Sequence, residues 1–135
     1  MNVAWTWVAL DVVQAIHDRQ IWEHGGRDAA PDIGLLLEAL AHPARIATGE
    51  TADVAALAAA YACALAAKRP FCDGNERTAW VVARLFISIN GWSFKFSTTE
   101  ATFTIASLTA GLLDELTFAA WIRAGLVPPE SKVAI

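Results

Sequence analysis

Apolar residues recur along this chain at helical spacing, and helix breakers fall between the recurrences. Leu10, Val13, Ile16, Ile21 and Trp22 share one stripe, so residues 10–24 are predicted as a first helix, stopped by Gly25-Gly26. Asp32 caps a shorter helix over 33–41 that Pro43 ends. A loop with Thr48, Gly49 and Glu50 leads to a third helix from Thr51 to about Lys68, ahead of Pro70. Its alanines let neighbouring helices approach closely. Residues 75–90 form a fourth helix, with Trp80, Val81, Leu85, Phe86 and Ile89 directed inward and Gly91 beyond its end. Trp92-Ser93-Phe94-Lys95-Phe96 alternates like a strand. No second clear strand exists to pair with it, so it is expected as an extended connector outside any sheet. Ser97 to Glu100 has capping-box character and opens a fifth helix to about Leu113. A sixth starts at Asp114 or Glu115, runs to about Ala124, and is closed by Gly125 and Pro128-Pro129. The fold class is therefore all-α, with six helices in a single domain over 1–135. Residues 1–9 and 126–135 are expected to be peripheral, and the tail from Glu130 to Ile135 to be frayed.

Composition adds an unusual aromatic load. The chain has 135 residues, an apolar fraction of 56%, six tryptophans and six phenylalanines. That is enough for a real core without a disulfide or metal staple. It leaves open whether the aromatics fill a dense core or hold apolar surface for a partner, with Trp5 and Trp7 the best surface candidates. The net charge of −4, without a basic run, argues against direct nucleic-acid binding. Cys63 and Cys72 lack metal-ligand spacing and read as reduced cytosolic thiols. The apolar run from Val54 to Ala67 is shorter than a membrane span, and the first residues make a poor signal peptide. The expected location is the cytoplasm.

The chemistry concentrates in Arg69-Pro70-Phe71-Cys72-Asp73-Gly74-Asn75-Glu76-Arg77-Thr78. A glycine running into a helix start leaves backbone N–H groups unpaired at the positive end of the helix dipole, which suits an anion. Arg77 can add a bidentate contact to phosphate, and Asp73 can hold a Mg²⁺ that also bridges phosphate oxygens. Asn75 can orient a phosphate or cap the helix. Phe71 anchors the loop in the core. An ordinary capped helix, with Asp73 as the cap and Arg77 solvated, fits the same short string.

This segment resembles the Fic/Doc signature H-[PI]-F-x-[DE]-[GA]-N-[GK]-R at Phe71, Asp73, Gly74, Asn75 and Arg77. Further matches extend the likeness to Doc-type (death-on-curing) toxins. Ala15-Ile16-His17-Asp18 through His24-Gly25-Gly26 resembles their opening segment. Ile33-Gly34-Leu35-Leu36-Leu37-Glu38 through His42-Pro43 resembles the next. Tyr61, Arg84-Leu85-Phe86 and Asn90-Gly91 fall in the same order. The resemblance implies an all-α Fic/Doc fold with the signature loop between two central helices.

It also implies a toxin of a toxin–antitoxin system. Doc toxins are kinases that use ATP and Mg²⁺ to phosphorylate a threonine of elongation factor Tu, which blocks translation. Their partners are that factor and an antitoxin segment. On this resemblance Asp73 binds Mg²⁺, while Gly74, Asn75, Glu76 and Arg77 occupy the phosphate-binding positions. Arg69 stands where the family has its catalytic histidine, and Glu76 where Doc proteins carry lysine. An arginine stays protonated and has no lone pair to accept the proton of a target hydroxyl. Glu76 sets a carboxylate beside bound phosphates, unless it recruits a cation or pairs with Arg69. Both changes point to an inactive copy. A non-catalytic antitoxin-binding scaffold and an AMP-transferring Fic protein are the alternatives. AMP transferases usually carry glycine at the Glu76 position, so a side chain there favours the Doc orientation.

The remaining candidates read more plainly. His17 and His24 are expected on one helix face, their ring N–H groups bonding backbone near Gly25-Gly26. His42 is expected to be exposed. Cys72 reads as a small side chain beside the loop, and Tyr61 as core. The tryptophans at 5, 7, 22, 80, 92 and 121 are core by default.

Overall fold

The computed structural model describes residues 4–49 and 52–129. Among the described residues there are six helices: α1 Leu10–His24, α2 Ile33–Ile46, α3 Val54–Lys68, α4 Asn75–Ile89, α5 Thr98–Thr109 and α6 Glu115–Gly125. Two short strands, β1 Ser93–Phe94 and β2 Leu126–Val127, complete the order.

The alanine-rich α3 is the axis of the molecule. Ten of its fifteen residues are buried. A helix apolar on every side belongs in a core, and α3 packs against α2, α4, α5 and α6. Alanine has the best helix propensity and the least bulk, so one sequence choice serves both the helix and the close approach of its neighbours. Leu36, Phe86, Phe118, Ile122 and Val13 close around it without exposure. Each such side chain contributes about 1.5–3 kcal/mol by burial.

Caps set most of the boundaries. Asp32, Asp53, Ser97 and Asp114 each accept a backbone N–H three residues on. The expected start of α3 at Thr51 lies outside the described residues, and the helix itself begins at Val54 under the Asp53 cap. Pro43 does not end α2. It lies inside the helix, buried, and its carbonyl accepts the N–H of Ala47 at 2.9 Å. Proline forfeits its own donor but leaves the following turn free to form. Helix α5 stops at Thr109, short of Leu113, because Gly111 turns left-handed at φ 77° and Leu112 N–H returns to the Ser107 carbonyl.

The connector expectation for 92–96 is also corrected. Ser93 pairs with Val127 and Phe94 with Leu126 in a two-stranded antiparallel ladder. Lys95 N–H extends it to the Gly125 carbonyl at 2.8 Å. A Cβ on Gly125 would lie 2.5 Å from both Lys95 O and Phe94 Cε1, so only glycine admits this approach.

Of the N-terminal segment expected to be peripheral, residues 4–9 are described: Ala4, Thr6, Trp7 and Ala9 are exposed, and one residue enters the core. Val8 is buried and its N–H donates to the Tyr61 hydroxyl at 3.0 Å. Burial raises the Tyr61 pKa above its ordinary value. Thr6 exchanges two hydrogen bonds with the Asn90 side chain. Trp5 and Trp7 lie against Phe86 at centroid distances of 5.9 and 5.8 Å. A second aromatic group joins Trp80, Phe94, Phe96, Trp121 and Phe118. Trp22 breaks the core-by-default expectation: it is 79% exposed, beneath the Arg19 guanidinium. Ile89, expected to face inward, is 39% exposed. Among the described residues no helix is long and apolar enough to cross a membrane.

Candidate functional site

The segment between α3 and α4 forms a tight loop whose conformation is fixed from three sides. Arg69 ends α3 in the left-handed region, at φ 48° and ψ 58°, with its N–H on the Leu65 carbonyl. It is the one non-glycine residue with positive φ among the described residues. Pro70 and Phe71 then turn inward and are buried. The Pro70 carbonyl accepts the Asp32 N–H at 2.8 Å, tying the loop to the start of α2.

Asn75 fixes the loop from the second side. Its Oδ1 accepts the Phe71 N–H at 3.0 Å, and its Nδ2 donates to the Phe71 carbonyl at 2.8 Å. The residue is 3% exposed. Its carboxamide is thus committed to the backbone, where sequence reasoning had it orient a phosphate or cap the helix.

Helix α1 supplies the third side. The His17 ring stacks flat on Phe71, with centroids 3.8 Å apart and planes 6° from parallel. Its Nε2 lies 2.8 Å from the Asp73 carbonyl, an N–H donor contact since that oxygen can only accept. His17 and His24 lie seven residues apart in α1 and so on one face, but His17 is buried and His24, at the helix end, is exposed. His17 does not bond the Gly25-Gly26 turn. His42 is also corrected: it is half-buried, with Nε2 3.0 Å from Glu115 Oε1.

On the outer surface, Gly74 sits at φ 76° as the N-cap of α4 and offers no side-chain cap. The first intrahelical bond runs from Thr78 N–H to Gly74 O, and the amides of Asn75, Glu76 and Arg77 carry no acceptor among the described residues. These are the unpaired donors at the positive end of a fifteen-residue helix. Asp73 stands beside them, exposed. Its Oδ1 accepts Gly74 N–H at 3.1 Å and its Oδ2 accepts Arg27 N–H at 3.2 Å. Lone pairs remain on both oxygens for a hard cation. A Cβ on Gly26 would lie 3.0 Å from Asp73 Oδ2, so a glycine lets the carboxylate reach that backbone.

Arg69, Glu76 and Arg77 are all exposed, and none forms an ion pair among the described residues. The Glu76–Arg69 pair considered from sequence is therefore not formed. Lys68, the neighbour of Arg69, turns to Glu38 at 3.1 Å.

The model of the Fic/DOC family matches residues 7–87, which include α1 through most of α4 and the whole of this loop. The chain belongs to the Fic/DOC family. No curated protein matches it. The Fic/DOC match and the six helices agree on an all-α fold. The His17, Arg27 and Gly26 contacts escaped the sequence reading. Their only sequence signal was the Ile16-His17-Asp18 string and the paired glycine, neither of which names a partner forty or more residues away.

Proposed function

We propose that this Fic/DOC protein is a Doc-type toxin scaffold that retains the phosphate-binding turn and lacks the group that deprotonates the target. What carries the reading is the pairing of a bare α4 N-terminus, next to the exposed carboxylate of Asp73, with an arginine at the end of α3.

The residues present fit the polyphosphate of ATP and its magnesium. The unpaired amides of residues 75–77 would accept phosphate oxygens, and exposed Arg77 would add a charged donor. Asp73 would hold Mg²⁺, which would offset the charge of the phosphates. Asn75 acts one step back, holding Phe71 and hence the turn. Glu76, in the first turn of α4, works against the same anion.

Transfer to a threonine hydroxyl of elongation factor Tu requires a base for the departing proton. A guanidinium has no lone pair to offer, so the Arg69 side chain cannot take that proton. The chain is therefore read as inactive in transfer, with antitoxin binding retained.

The test uses γ- and α-labelled ATP, Mg²⁺ and elongation factor Tu with this chain and with Arg69→His, Glu76→Lys. Label from γ-ATP alone, and with the double variant alone, is the expected result. Label from α-ATP would assign AMP transfer instead. No label with either protein overturns the kinase reading.

A further inference from the structure

We propose that the Arg84 guanidinium, held between the rings of Trp80 and Phe96, anchors a carboxylate on an acidic segment of a protein partner. Arg84 and Trp80 stand one turn apart on α4, and Phe96 follows β1. The guanidinium carbon lies 5.2 Å from the Trp80 ring centroid and 5.8 Å from that of Phe96. The two rings meet at 79° with centroids 5.2 Å apart, so they form a corner that holds the cation. This inference is independent of the proposed transfer reaction.

The corner leaves a positive charge without a counter-ion. Arg84 forms no ion pair among the described residues, and its buried Nε has no acceptor. The elements packed around it supply no carboxylate. Neither α3 nor β1 contains an acidic residue, and Glu76 of α4 is more than two turns away. The acids of α1 are engaged elsewhere: Asp11 with the Val12 N–H, Asp18 toward His17 and Glu23 with Arg19. Glu100 of α5 lies beside Ser97. Ring faces attract the charge but leave the in-plane N–H groups unpaired. Burial lowers the Arg84 pKa below its ordinary value, the mark of a cation partly withdrawn from water.

The free edge of the guanidinium sets the ligand's chemistry. Nε is the one buried unpaired atom of this side chain, so the Nη edge is the side open to a ligand. Its two parallel N–H groups match the two oxygens of a carboxylate. One fork carries one charge, on a chain of net charge −4, which suits a monoanion over a polyphosphate. The adjacent rings keep water from one side of such a pair, which strengthens it and lessens its screening by salt. The surroundings point to a protein as the source. Phe96 is 36% exposed and Trp80 half-buried, so apolar surface borders the cation. Arginine and tryptophan in partly desolvated settings are the side chains that most often anchor protein interfaces. The segment that fits carries an aspartate or glutamate next to an apolar residue able to cover Phe96.

The experiment follows the Arg84 Nε–H and Trp80 indole N–H signals by NMR while the peptide acetyl-Ala-Phe-Glu-Leu-Ala-amide is added without nucleotide. The same peptide with glutamine in place of glutamate is the control. Saturable shifts with the glutamate peptide are expected, weakened about fivefold or more by the glutamine replacement and by Arg84→Gln. Acetate and inorganic phosphate test the other sources of an anion, and binding of either as tight as that of the peptide overturns the protein partner. Equal binding of the glutamine peptide, no saturation by about 10 mM glutamate peptide, or undiminished binding to Arg84→Gln overturns the proposal. The peptide comparison uses the unchanged chain, so it decides the matter even where Arg84→Gln fails to fold.

Discussion

Asn75 and Phe71 close a two-bond ring in which the carboxamide replaces both hydrogen-bond partners that the Phe71 backbone lacks. The Phe71 side chain then serves as the floor on which His17 stacks. Loop conformation, core packing and the direction of the α4 N-terminus thus depend on one buried amide.

Asn75→Ala is therefore expected to destabilise the whole domain. It leaves a buried N–H and a buried C=O unpaired, at about 1–3 kcal/mol each. Urea denaturation should show a lower midpoint at unchanged slope. A loss of nucleotide affinity alone, at full stability, would contradict the positioning role.

Arg69 occupies a left-handed position that asparagine, aspartate, histidine and above all glycine tolerate best. Arg69→Gly should raise stability by about 0.5–1 kcal/mol, since relief of strain outweighs the added freedom of the unfolded chain. Arg69→Val should lower it by more than that. Thermal melts of the two variants give opposite signs if the αL backbone is real.

Asp53 caps α3 and also receives a bidentate contact from Arg123 at 2.7 and 2.9 Å. The Arg123 hydrogen bond, chiefly, holds the Asp53 carboxyl below its ordinary value. Because the folded-state pKa is depressed, the contribution is complete above the unfolded value of about 3.9 and is lost as pH falls through the lower folded value. Both side chains are about half exposed, so the pair is worth only about 0.5–1 kcal/mol. Arg123→Ala should cost that much at pH 7 and little at pH 2 in a denaturation series.

Cys63 and Cys72 should differ sharply as nucleophiles. Burial, with the nearby carboxylates of Glu115 and Asp114, pushes the Cys63 thiol up to about 12. Cys72 is exposed in the signature loop. Iodoacetamide at pH 8 should modify Cys72 first and reach Cys63 only on unfolding. Mass spectrometry of the native protein reads this directly, and rapid labelling of Cys63 would refute it.

Gly125→Ala sets a methyl against the Lys95 carbonyl and the Phe94 ring. The ladder between β1 and β2 must open or shift, at about 1–3 kcal/mol. A loss of hydrogen-exchange protection at Lys95 N–H, ahead of any change in α3, is the expected signature.

The candidate loop was legible because its residues are contiguous. Phe71, Asp73, Gly74 and Arg77 stand in one string, and the structure places that string at the start of α4 as the spacing requires. Local rules also carried the helices: Asp32, the capping residue of α2, and Ser97, which opens α5, act on backbone three residues away. Where local rules failed, a competing contact had won. Gly111 ended α5 early, and Pro43 was absorbed into α2 because the turn after it needed no donor from the ring.

The sequence by itself determined the six helices, the alanine-rich centre and the residue types of the loop, because helical period, caps and turn glycines act within a few residues. Only the tertiary structure decided that Asn75 faces inward, that His17 rather than His24 supports the loop, and that Leu126 pairs with Phe94. Those outcomes join residues far apart in the chain. They depend on which buried donors and acceptors meet once the helices close around α3, and no local pattern encodes that meeting.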